Sequence, residues 1–436
     1  MIFTGDPTRF PDPRVGYVYG GYTQNGNYAR GNFVTIGGTV TGYVEIYGGR
    51  ASLLTFENTV TISGGSAEVE SIIGGYNDNH TEYNTITITE DSEVKATEIC
   101  GGATNDGSVI GNKIYISGSG TTVGSASKRT NIYGGSIFVR KDTYSDIPCT
   151  RNVVEISGGT ITADICGGHG RYYNASYDRK DRAVISDNIV RILGGLGAID
   201  LTDSNLYGWG GEVSTIHSNN MLHVDNWCGT VKSIQNFDRF HFTLPEDVAD
   251  GDLLLQVSET ASWPDGTLVT IDFAGDETGL EFGDSITLIQ ADELTAGTLC
   301  ADRVVAFLDG NPFAFRLSVD GNSLLATLEN VLFVPSGNGY LAAIDRSYFH
   351  GIAAAVAGEN AGGDAISQVI GNWQFGEAKD IGRFRWFGSF QGDKIRGRAA
   401  PGVENKSCHF NVGATVEYKS YHGNFLAGVA AESSLD

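Results

Sequence analysis

The stretch Asn58-Thr-Val-Thr-Ile-Ser-Gly-Gly65 (NTVTISGG) decides the fold. An Asn is followed after one residue by two aliphatic residues separated by one further residue, then usually by glycine. The same word begins at Asn32, Asn84, Asn112, Asn152, Asn188 and Asn220, at spacings of 26, 26, 28, 40, 36 and 32 residues. Its period of two marks a strand rather than a helix. A second word interleaves with it: VYGG at Val18, IYGG at Ile46, IIGG at Ile72, ICGG at Ile99, IYGG at Ile132, ICGG at Ile165 and the variant LYGW at Leu206. Two words alternating at this period are the mark of a solenoid, in which one repeat cannot bury its apolar side chains without its neighbours.

These words predict an all-β chain built on a right-handed parallel β-helix, with one repeat per coil. The inward pairs are Val34/Ile36, Val60/Ile62, Ile86/Ile88, Ile114/Ile116, Val154/Ile156, Val190/Ile192 and Leu222/Val224. The leading Asn residues stack into an amide ladder at a fixed turn. The Gly-Gly pairs supply positive φ at corners. A β-propeller is the alternative, but its blades need about 40 residues and four strands each.

The composition sets limits on function. Gly accounts for 60 of 436 residues, without a Gly-X-Y period, which excludes collagen. The net charge of −23 is concentrated in residues 237–330, which carry −15 of it. With no basic face to release counterions, nucleic acid is excluded as a partner. The six cysteines form no CxxC pair, which argues against zinc or a redox motif. Cys100 and Cys166 occupy one repeat position two coils apart, about 9.6 Å at a coil rise of about 4.8 Å, too far for a disulfide. They are expected to be packed thiols.

The repeat occupies residues 1–236. Residues 237–330 then carry strand pairs and Asp-Gly turns at Asp309-Gly310 and Asp320-Gly321, and are expected to form an acidic antiparallel cap on the open end of the solenoid. Residues 331–380 are expected to be a linker with an Ala-rich helix within 339–370. Residues 381–436 alternate small and aromatic residues as an outer-membrane barrel strand does, with Phe384, Trp386, Gly388 and Phe390 opposite Arg385, Phe387, Ser389 and Gln391.

Two insertions widen the spacing after Asn112: residues 136–151 and residues 169–187. Insertions in a solenoid become loops on one face, often the binding face. Tyr144, Arg171, Tyr172, Tyr173, Tyr177 and Arg179 are the candidate ligand-binding residues, slightly basic within an acidic chain. The polar residue between the two aliphatics reads Thr35, Thr61, Thr87, Tyr115, Glu155, Arg191 and His223. Glu155, Arg191 and His223 form the one stacked trio with acid-base potential. It holds one carboxylate where a glycosidase needs two, so a surface charge ladder is the simpler reading. No P-loop, GxSxG elbow, HExxH helix or EF-hand loop is present, and nothing calls for a cofactor or metal.

The order of parts resembles a bacterial type V autotransporter. A Gly-rich β-helical passenger is followed by a junction- or autochaperone-like segment (FDRFHFTLPEDVADGDLLLQV at 237–257, GDSITLIQADEL at 283–294), a linker helix, and barrel strands in RWFGSFQGDKIRG and VGATVEYKSYHGNFLAGVAAE. The chain departs from the family in lacking a signal peptide and in holding about three barrel strands where the family usually has twelve. It is therefore expected to be a fragment or a truncated product. The resemblance implies a non-enzymatic passenger on the surface of a diderm bacterium, anchored at the outer membrane by a barrel that is incomplete here. Its role would be adhesion, including in virulence, through a surface glycan or protein ligand. A β-helical polysaccharide lyase or hydrolase, and a purely structural stalk, are the alternatives.

Overall fold

The computed structural model describes residues 2–3, 16–23, 28–105, 107–139, 146–172, 182–211, 215–308, 311–329, 335–336, 339–340, 381–391, 408–420 and 423–435. Every regular element among them is a strand. Contacts divide the chain into two units, one of residues 1–308 with 315–328, the other of residues 309–314 with 329–436.

The first unit is a parallel β-solenoid with three faces. The seven Asn words form successive strands of a ten-stranded sheet, here called the Asn face. Each strand pairs in parallel, in register, with the same word one coil on: Val34 with Val60, Val60 with Ile86, Ile86 with Ile114, and so to Leu222. All seven inward pairs are buried. Burying one such side chain is worth about 1.5–3 kcal/mol, so the stacked columns supply the main driving force. The xYGG words form a second, bent sheet, the Gly face. Its inward column runs Ile46, Ile72, Ile99, Ile132, Ile165, Leu206 and Ile234. Seven short strands, Tyr28–Arg30 to Thr215–Ser218, form the third face.

The Asn ladder is continuous. Asn Nδ2 donates to the Oδ1 of the next Asn at 2.7 Å (32 to 58), 2.8 Å (58 to 84), 2.9 Å (84 to 112), 3.0 Å (112 to 152), 2.9 Å (152 to 188) and 3.0 Å (188 to 220). From Asn58 on, the second Nδ2 proton goes to a carbonyl of the third face, of Ala29, Thr55, Thr81, Val109, Cys149 and Ile185 in turn. The residue before each ladder Asn has positive φ, as at Glu57 (56°), Tyr83 (54°) and Arg151 (59°). This places the turn at a fixed point whatever the residue type.

The glycines divide the work differently from expectation. Positive φ falls at Gly64, Gly159 and Gly195, which follow Asn words. The glycines of the xYGG words lack positive φ and lie within strands except for Gly101 and Gly102, and they are glycine because of close approach. A Cβ on Gly48 would lie 2.4 Å from the carbonyl oxygen of Gly74, and one on Gly49 2.6 Å from the Asn58 amide. The second word thus exists to make room for the first.

The expected change to antiparallel pairing at residue 237 comes later. Arg239–Leu244 and Leu268–Phe273 continue the Asn face in parallel, and Leu253–Trp263 and Ser285–Ala296 continue the Gly face. The word persists in disguise: Asp238 stands where Asn stood, and Phe240 and Phe242 replace the aliphatics. Both rings are fully buried, and Phe240 packs edge-on against Trp263 at 5.4 Å. Among the described strand pairs of this unit, antiparallel pairing begins where Ser285–Ala296 meets Ser323–Glu329, Ile286 opposite Ala326.

In the second unit, Ile381–Gln391, Cys408–Ser420 and Gly423–Leu435 form a three-stranded antiparallel sheet, with strands of 11, 13 and 13 residues. A short pairing joins Pro335–Ser336 to Gly339–Tyr340. The expected helix otherwise falls on residues 341–370, outside the described residues.

Candidate binding surface

The second residue of each xYGG word points outward from the Gly face. Down the coils this column reads Tyr19, Tyr47, Ile73, Cys100, Tyr133, Cys166 and Tyr207. At the bend after the glycines a second outward column joins it, with Tyr22, Arg50, Tyr76, Ala103, Ser136 and His169. The two pack into an external aromatic seam around Tyr47, Ile73, Cys100, Ala103, Tyr133 and Cys166.

At its first coils the seam is a stack of tyrosines. Tyr17 and Tyr19 lie 5.7 Å apart and near parallel, Tyr19 and Tyr47 5.4 Å, Tyr19 and Tyr22 4.9 Å, and Tyr47 meets Tyr76 edge-on at 5.8 Å. Aromatic pairs at these separations fix ring orientation. The Arg50 guanidinium lies 5.3 Å from the Tyr47 ring and 5.2 Å from the Tyr76 ring, and donates to the Tyr19 hydroxyl at 3.2 Å. Tyr17 and Tyr22 are 50% and 51% exposed, so the stack opens to solvent. Burial, with the Glu45 carboxylate beside it, raises the Tyr47 phenol far above its ordinary range. It stays protonated and donates to Glu45.

Further along, Tyr133 stacks on His169 at 4.3 Å. Arg171 donates to Glu98 at 3.0 Å and lies 4.0 Å over the Phe138 ring. Burial raises the Glu98 carboxyl, against the pull of Arg171. Burial, aided by the Arg171 charge, lowers His169 to about 3. The imidazole is therefore neutral at physiological pH. The free thiols of Cys100 and Cys166 are buried in this seam. Each donates to a glycine carbonyl, of Gly102 and Gly168, as expected for packed thiols.

Of the six candidate ligand-binding residues, the structure places Arg171 on this seam. The backbone of Tyr172 ends the strand Ala163–Tyr172. Tyr144, Tyr173, Tyr177 and Arg179 lie outside the described residues. Parts of the two insertions are strands rather than the expected loops: residues 136–139 and 169–172 extend the Gly face and pair side by side beside the seam, and residues 146–150 and 182–186 pair on the third face. Sequence reasoning passed over Tyr19, Tyr47, Tyr76, Tyr133 and His169. A signal for Tyr19, Tyr47 and Tyr133 is present, because tyrosine recurs at the second position of the VYGG and IYGG words, whereas Tyr76 and His169 follow their words.

The trio on the Asn face is brought together as expected. Glu155, Arg191 and His223 are register neighbours on successive strands. The row continues to His241 and gains a second carboxylate, Asp225. Arg191 pairs with Glu155 at 3.4 Å and with Asp225 more closely. Its charge is thus held between two carboxylates, the arrangement of a surface charge row. His223 and His241 meet edge-on at 4.3 Å; Asp225 lies 3.8 Å from His223 and Asp272 3.5 Å from His241. Burial, then His241 and Arg191, lowers His223 to about 4 against the opposing pull of Asp225. Burial also lowers His241.

Both imidazoles are neutral in the fold and bind protons more readily when unfolded. Stability is therefore full above about pH 6.5 and lost as pH falls through the folded value near 4. Discounted for residual exposure, His223 contributes about 2 kcal/mol to that loss. Urea melts from pH 7 to pH 4 should show it. His223→Asn should flatten the profile, and an unchanged slope would refute the assignment.

Among the described residues, no group of three His, Cys, Asp or Glu side chains is placed to hold a metal ion. The geometry defines a parallel β-solenoid repeat protein with an external aromatic seam. No family model, no curated protein and no solved structure matches the chain.

Proposed function

We propose that the chain is a non-enzymatic ligand-binding solenoid, displayed at the cell surface as the passenger of an autotransporter, and that its ligand is a surface glycan. The observation that carries the reading is the partly exposed tyrosine stack with Arg50, on the face whose strands include the first residues of both insertions. A sugar ring has an apolar C–H face and a rim of hydroxyls. Fixed aromatic rings bury the first, and the flanking Arg50, Glu45 and tyrosine hydroxyls serve the second. The three antiparallel strands of 11, 13 and 13 residues are long enough for tilted barrel strands, which need about 9–11 residues. This supports the membrane-anchored reading.

Two measurements test it. In the native cells, protease added outside should digest residues 16–308, and protection until lysis would remove the surface assignment. On a glycan array the full chain should bind at least one saccharide class. The pair Tyr19→Ala and Tyr22→Ala should weaken that binding about tenfold, each ring contributing about 0.5–1.5 kcal/mol. Binding only to proteins, with none to glycans, would replace the ligand class.

A further inference from the structure

Arg50 differs in its company from Arg30, Arg129, Arg171 and Arg191. Those four pair with carboxylates, of Glu57, of Asp164, of Glu98, and of Glu155 and Asp225. Arg50 makes no ion pair among the described residues, although the chain carries a net charge of −23. It donates to the Tyr19 hydroxyl and otherwise meets the Tyr47 and Tyr76 rings. The Glu45 carboxylate is taken by the Tyr47 phenol instead. Register explains how a charge comes to stand among rings. Just past Gly48 and Gly49, Arg50 pairs with Tyr22 on one neighbouring strand and with Tyr76 on the other. The guanidinium is within reach of a ligand. Arg50 is half-buried, and none of its nitrogens is both shielded and unpartnered, as Nε of Arg171 and of Arg191 is. Tyr17 and Tyr22, in the same stack, are half exposed.

We propose that Tyr17, Tyr19, Tyr22 and Arg50 form a subsite for an acidic sugar residue, whose carboxylate or sulfate sits on the Arg50 guanidinium. The proposal rests on the glycan reading above and narrows its ligand class. A guanidinium presents several N–H donors in one plane and takes a carboxylate or sulfate through two parallel bonds. A neutral hydroxyl makes a weaker bond to it. The rings contribute twice. Their exposed faces cover the C–H face of the sugar, and the Tyr47 and Tyr76 faces hold the guanidinium in place before the ligand arrives. Because no carboxylate of the chain is paired with Arg50, an incoming anion displaces water and breaks no internal ion pair. Arg171, further along the seam, is already met by Glu98 at 3.0 Å. Selection for an anion therefore belongs to the first coils.

Isothermal titration of the full chain tests this with matched probes. Trigalacturonate and its methyl ester share their rings and differ in charge; chondroitin sulfate and desulfated chondroitin hexasaccharides differ in sulfate; maltotriose and cellotriose are neutral controls. One acid should bind about tenfold or more tighter than its matched counterpart, the first pair reporting a carboxylate and the second a sulfate. Arg50→Gln should bring that acid down to the affinity of its counterpart. A preference that survives Arg50→Gln in a folded protein overturns the assignment. A second measurement needs no variant. Phenylglyoxal should modify Arg50 in the free wild-type chain, read by peptide mass spectrometry, and the bound acid should slow that reaction while the matched counterpart at equal concentration does not. An Arg50 that never reacts, or that reacts equally fast with the acid bound, overturns the subsite. If acids and counterparts bind equally while Tyr19→Ala and Tyr22→Ala lose binding, the acidic class is wrong and the glycan reading stands. If no probe binds, both readings fall.

Discussion

Asn152→Asp should destabilise the solenoid by about 3–5 kcal/mol at pH 7. The change is one atom, and its cost follows from the direction of the ladder. Asn152 is fully buried, with all four amide positions used. Oδ1 accepts from the backbone and side chain of Asn112, both at 3.0 Å, and Nδ2 donates to Asn188 Oδ1 at 2.9 Å and to the Val109 carbonyl at 3.2 Å. An aspartate keeps the two acceptances. Its other oxygen would face two oxygens with nothing to donate. Protonation restores one of the two lost bonds, so the aspartyl pKa should rise in the folded state. The penalty should then shrink as pH falls below that raised folded value, reach its minimum below about pH 4, the ordinary aspartate value, and grow as pH rises. That is the opposite sign to the histidine effect, so urea melts across pH separate the two.

Asp238 gives the natural control. It ends the ladder, with Oδ2 accepting from the Asn220 backbone at 3.0 Å and side chain at 3.1 Å, while Oδ1 faces His217 Nδ1 at 3.1 Å. At the end of the row nothing further need be donated, and a carboxylate suffices. Asp238→Asn should cost under about 1 kcal/mol, and Asp238→Ala about 2 kcal/mol by orphaning both Asn220 donors. Equal effects for Asn152→Asp and Asp238→Asn would show that the ladder has no polarity and refute this account.

The same pair of residues shows how far the sequence could be read. The aliphatic columns, the Asn ladder and the three stacked polar residues were legible because each repeats at one position per coil. The end of the solenoid was not. Asn220 to Asp238 conserves geometry while changing residue type, and Phe240 and Phe242 fill the core where aliphatics did. A reading keyed to Asn and Ile/Val therefore ends the solenoid two strands of the Asn face early. The seam was missed for another reason. Tyr19, Tyr47 and Tyr133 are adjacent to inward residues in sequence, and a strand's alternation says only that they face outward. It does not say that the bend after the glycines folds Tyr22, Tyr76 and His169 over them.

Gly134→Ala should be comparably severe, at about 3 kcal/mol or more. Gly134 lies within the extended strand Thr130–Val139, whose φ an alanine adopts without strain, so propensity alone predicts a gain. Space decides otherwise. A Cβ there would lie 2.5 Å from the Gly167 carbonyl oxygen and 3.1 Å from the Asn152 Cβ. Neither can move freely, because Gly167 belongs to the next coil's paired strand and Asn152 to the ladder. Relief requires separating two coils that are hydrogen-bonded along their length. In a solenoid each coil contacts only its neighbours, so the damage should be local. Amides of residues 130–139 and 163–172 should lose exchange protection first, while the first coils keep theirs. Gly37→Ala is the matched control, since its nearest neighbour would be the Ser63 carbonyl oxygen at 3.8 Å. It should melt within about 0.5 kcal/mol of wild type. A Gly134→Ala protein that melts with wild type would mean that the coils are looser than the ladder distances require.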